Sequence, residues 1–80
     1  MLSAFELQLL ARTELARFRC ALGDEHLQDA QALAYESGHR GDRATDFIKR
    51  EPILKSAFEV GQNDGLTDRL ADQAASAIAF

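Results

Sequence analysis

Residues Leu2 to Leu22 read as one helix with two apolar faces, and that pair of faces limits what the remaining chain can build. Ser3 and Glu6 form the S-x-x-E pattern of a capping box, which satisfies free N–H groups at a helix start. Gly23 supplies a residue suited to the left-handed conformation on which helices often stop. No Pro or Gly interrupts the stretch between them. At about 100° per residue, Leu7, Ala11, Leu15, Phe18 and Leu22 fall on one stripe. Leu2, Phe5, Leu9, Ala16 and Cys20 fall on a second, nearly opposite. Glu6, Thr13 and Arg17 separate the stripes along one edge, and Gln8, Arg12 and Arg19 along the other. A surface helix needs one such stripe. A second is covered either by the same chain or by a partner, and periodicity alone weighs the two equally.

The other segments read as shorter helices. Asp24 caps a helix running to about Ser37, with Leu27, Ala30, Leu33 and Ala34 inward. The short link through Gly23 makes it an antiparallel hairpin with the first helix. Gly38, His39, Arg40 and Gly41 read as a loop, and Asp42 as the N-cap of a helix carrying Ala44, Phe47 and Ile48. That helix ends or kinks before Pro52, leaving residues 42–61 as one bent helix or two. After Pro52, the residues Ile53, Leu54, Ala57, Phe58 and Val60 give an apolar face that Gly61 terminates. Gln62 to Leu66 reads as a polar turn, after which Thr67 caps a last helix with Leu70, Ala71, Ala74, Ala77 and Ile78 inward. Phe80 reads as a docked terminus. Alternating β-branched runs are missing, and the chain has a single Val.

Eighty residues with 11 Leu, 5 Phe and 14 Ala make one small domain, residues 1–80, close to the size at which a single core is marginal. Self-association is a common remedy. One cysteine, Cys20, allows no internal disulfide, and the N-terminal segment lacks the basic region of a signal peptide. No apolar run reaches the ~20 residues that span a bilayer. These features predict a cytoplasmic protein without a membrane segment. The formal charge of -4 divides into +1 for residues 1–23, -4 for 24–36, +2 for 37–58 and -3 for 59–80. Such a weak basic middle makes nucleic acid an unlikely partner, since non-specific DNA binding needs several phosphate contacts.

Few residues suggest chemistry. Glu36 and His39 have the E-x-x-H spacing of di-iron bundles, but those need two such motifs and further carboxylates. His26 with Asp29 is another isolated pair. Cys20 has a possible base in His26, yet it lies on an apolar stripe, where a thiol serves as a small hydrophobe. Arg40-Gly41-Asp42 spells an adhesion tripeptide, better read as a turn followed by a cap. A helix-turn-helix reading around Gly23 fails on the bulk of Arg19 and the acid of Asp24 and Glu25.

The fold expected is all-α: a compact single domain of four to five short helices packed around a long N-terminal helix. The function expected is non-enzymatic, with no metal and no cofactor. It is that of a protein-protein interaction module, an inhibitor or adaptor of the size found in phages and mobile elements, self-associating as a homodimer through helix one. The partner-binding residues expected are Leu2, Phe5, Leu9, Ala16 and Cys20, with Arg40, Arg43 and Arg50. Two such helices packed antiparallel about a two-fold axis would set large residues against small ones. The alternative is a dimeric regulator that touches nucleic acid through the weakly basic 39–55 segment.

Overall fold

A computed structural model describes the backbone of residues 2–21 and 24–78, and side chains for residues 2–20 and 24–74. The expected stop at Leu22 and Gly23, the docked Phe80, and the inward Ala77 and Ile78 fall outside these limits. The described chain is all-helical: α1 (Ala4–Ala21), α2 (Asp24–His39), α3 (Asp46–Lys49) and α4 (Pro52–Ile78).

Helix α1 starts as its sequence dictates, with the Glu6 N–H donating to Ser3 Oγ at 3.1 Å. Its first stripe enters the core: Leu7, Ala11 and Leu15 are buried, and Phe18 packs against them. Ala30 and Ala34 of α2, Ile48 of α3, and Leu54 and Phe58 of α4 complete that core. Side-chain bonds between α1 and α2 pair Glu14 with His26 and Gln8 with Ser37, so the two helices run antiparallel as expected.

The central helix is α2 rather than α1. It packs on α1 along one side and on α4 along another. Its approach to α4 uses small residues at steps of four: Ala30, Ala34 and Gly38 on α2, and Ala57, Gly61 and Gly65 on α4. A Cβ on Gly38 would run into the Phe58 carbonyl oxygen, one on Gly61 into that of Tyr35, and one on Gly65 into that of His39. Because 35 faces 61 and 39 faces 65, the two helices are parallel.

That seam explains why the expected stop at Gly61 and turn at Gln62–Leu66 do not occur. Each Gly costs a free helix about 1 kcal/mol relative to Ala. Here each is the residue that lets two backbones touch, and α4 continues for 27 residues. Thr67 lies inside it, its hydroxyl donating to the Asn63 carbonyl at 2.9 Å, instead of capping a new helix. Helix α2 likewise passes Ser37 and Gly38 before closing. Gly41, at φ 85°, donates to the Gly38 carbonyl, and Asp42 N–H donates to that of Ser37. These are the two bonds of a Schellman closure.

Asp42 is therefore not the cap of α3. Thr45 holds that position with extended backbone angles and no side-chain cap bond. Residues 42–61 thus form a loop, one helical turn and the start of α4, separated at Pro52. Since α4 runs on beyond α2, the molecule is elongated, 55 × 23 × 22 Å. Residues 66–74 are all exposed, correcting the inward placement of Leu70, Ala71 and Ala74. No described helix is long and apolar enough to cross a membrane.

Candidate interaction surface

The second stripe of α1 is uncovered. Leu2 is 40% exposed, Phe5 56% and Leu9 37%, and Ala16 and Cys20 are also exposed. The same chain does not cover it: α4 packs on α2, and its residues 66–74 are themselves exposed. Phe5 touches only the edge of the body, its ring 5.5 Å from that of Phe47, while Arg12 lies 5.1 Å over the other aromatic.

What borders this strip is fixed by a residue that the wheel placed on the edge between the two stripes. Gln8 is fully buried. Its Nε2 donates to Ser37 Oγ at 3.0 Å and to the Arg43 carbonyl at 2.7 Å, while its Oε1 accepts from Thr45 N–H at 2.7 Å. Ser37 Oγ in turn donates to Asp42 Oδ2 at 2.9 Å, which Arg40 approaches at 3.4 Å. One amide thereby ties α1, α2 and the loop together and lays α3 beside the strip. The available signal was position: Gln8 lies about 20° beyond Leu15 on the wheel, at the edge of the core arc.

The cations of the 39–55 segment divide accordingly. Arg40 is turned towards Asp42, whereas Arg43, Lys49, Arg50 and Lys55 are exposed. At the far end of α3, Arg19 makes a two-toothed contact with Glu51 at 3.2 and 2.7 Å. That contact holds the Glu51 carboxyl below its ordinary range and raises Arg19. On the α2 side, Glu14 meets His26 Nδ1 at 2.8 Å and Arg17 at 2.7 Å, and the His26 bond leads in lowering its pKa. An open depression of about 360 Å³ lies there, lined by Leu10, Glu14, Asp29, Ala32 and Leu33.

The E-x-x-H residues do not converge. His39 Nε2 lies 2.9 Å from Asp68 across the glycine seam, and Glu36 is exposed. Beside it, Tyr35 donates to Asp64 at 2.7 Å, which raises the phenol's pKa. Arg69 reaches back to the His39 carbonyl at 3.3 Å, supplying a cation to the end of α2. Among the described residues no three metal-ligating side chains come together. His26, considered as a base for Cys20, is engaged with Glu14.

Beyond Gly65 the phase of α4 reverses. The line that carries Leu54, Phe58, Gly61 and Gly65 continues as Asp68 and Asp72. Leu66, Leu70 and Ala74 run along the opposite side, with Leu66 52% and Leu70 56% exposed. No protein-family model matches the chain, and neither a curated protein nor a solved structure matches it.

Proposed function

We propose that the protein is a non-enzymatic interaction module that self-associates through the uncovered strip of α1. The observation that carries this reading is the exposure of Phe5 and Leu9 on successive turns of a helix whose opposite face is the core, with Leu2 exposed just before its start. Contiguous apolar surface of this kind marks association sites in folded proteins. A domain of 80 residues also gains stability from a second copy, because its own core is small. Action through a surface fits an inhibitor or adaptor that occupies another macromolecule.

Sedimentation equilibrium over a wide concentration range tests this. The reading expects a monomer–dimer equilibrium in the micromolar range, and a monomer throughout contradicts it. A second reading, contact with nucleic acid, draws on the exposed Arg43, Lys49, Arg50 and Lys55 at the α3–α4 corner. It expects binding to mixed-sequence DNA that weakens steeply with salt.

A further inference from the structure

We propose that the open groove between α1 and α2 is a docking site for a basic amphipathic helix of another protein. This goes beyond self-association, uses a different face of the molecule, and holds whether or not the α1 strip pairs.

The groove follows from the antiparallel pairing of the two helices. Leu10 of α1 and Ala32 and Leu33 of α2 line its depression of about 360 Å³, together with Glu14 and Asp29. All five residues belong to α1 and α2, so neither α3 nor α4 reaches this side of the hairpin. Leu10 is 41% exposed. A groove between two packed helices accepts the apolar face of a third, as it does within a bundle.

Charge selects the occupant, because the acids lie on the faces that form the groove. Asp29 lines it directly. Glu25 stands four residues before Asp29 and Glu36 seven after, which places both on the same face of α2. On α1, Glu6 stands one turn before Leu10. These four carboxylates are exposed and enter no ion pair among the described residues. The nearby cations are engaged. Arg17 and His26 close on Glu14 at 2.7 and 2.8 Å, and Arg40 turns to Asp42 at 3.4 Å. An apolar groove bordered in this way favours a partner with leucine-like residues on one face and Lys or Arg beside them. It repels an acidic helix or a phosphate backbone.

Extent selects a helix over a small amine. Glu25 to Glu36 spans about 16 Å along α2, at 1.5 Å per residue. Three turns of a docked helix match that length.

The test titrates the full chain into a fluorescein-labelled synthetic peptide of Leu and Lys, about 18 residues long so that it can hold a helix. Its leucines sit at helical spacing, and a control peptide of the same composition has them dispersed. Fluorescence anisotropy should show the ordered peptide binding at least tenfold more tightly than the control, and more weakly as salt rises. Asp29→Lys with Glu36→Lys, both at exposed positions, should weaken binding at least tenfold, and Leu10→Lys likewise, with far-UV circular dichroism confirming that each variant folds. Phe5→Asp should leave binding unchanged, since Phe5 lies on the other strip of α1. No binding of the ordered peptide overturns the proposal. Equal binding of both peptides overturns it in favour of unspecific charge attraction. Binding indifferent to the charge reversals, or lost in Phe5→Asp, also overturns it, the latter by moving the peptide to the α1 strip.

Discussion

Gln8 shows how much of this fold can depend on one polar side chain. Its amide satisfies a backbone N–H and a carbonyl of the 43–45 loop as well as the Ser37 hydroxyl, the last buried and the other two part-buried. Gln8→Ala leaves these groups without partners, at a cost of about 1–3 kcal/mol for a buried unsatisfied group. The expected loss is about 2–3 kcal/mol by urea unfolding, and a change below about 0.5 kcal/mol would show that the loop is held by other means. Two glutamates set the acid response. Glu14 and Glu51 have folded pKa values lowered by His26 and Arg19, so their contribution is complete above the unfolded value of about 4.3. It is lost as pH falls through the lower folded values. Glu14→Gln and Glu51→Gln should each flatten the stability profile below that pH, and an unaltered acid limb would contradict the pairing. Tyr35 acts with the opposite sign. Its raised pKa makes its contribution complete below the ordinary phenol value and lost as pH rises beyond it, so Tyr35→Phe should flatten the alkaline limb.

At the scale of elements, the deciding feature is the α2–α4 seam. Ala is the better helix former, so Gly61→Ala or Gly65→Ala would stabilise an isolated α4 by about 1 kcal/mol. In the folded protein the added methyl meets a backbone carbonyl of α2, which cannot swing aside as a side chain can. The expected result is destabilisation by about 1–3 kcal/mol, the range for overpacking. A stabilising effect in thermal unfolding would mean that the helices do not touch there. The same residues explain which parts of the fold were legible. The core stripe of α1, the hairpin with α2 and the all-helical class follow from periodicity and capping, which are local. The continuity of α4 does not, because Gly61 and the Asn63-Asp64-Gly65 run are turn residues until a neighbouring helix needs them small. Their signal was relational: Ala57, Gly61 and Gly65 keep step with Ala30, Ala34 and Gly38. Asp42 misled for a similar reason, since a capping residue also suits the end of a Schellman closure.

Taken whole, the molecule is a core built on α2 with two apolar lines left over, one on α1 and one on the free end of α4. The α1 line was readable from sequence as a second stripe. Its exposure was not, because that depended on where a distant α4 would pack. The claim on which the functional reading rests is that this line is surface in the monomer and contact in the dimer. Phe5→Asp tests both halves in one preparation, by following thermal unfolding and sedimentation equilibrium together. The prediction is a folded monomer whose helical spectrum matches the wild type, beside a wild type that dimerises. A variant that loses its helical spectrum would instead show that Phe5 belongs to the core, and a wild type that remains monomeric would contradict self-association.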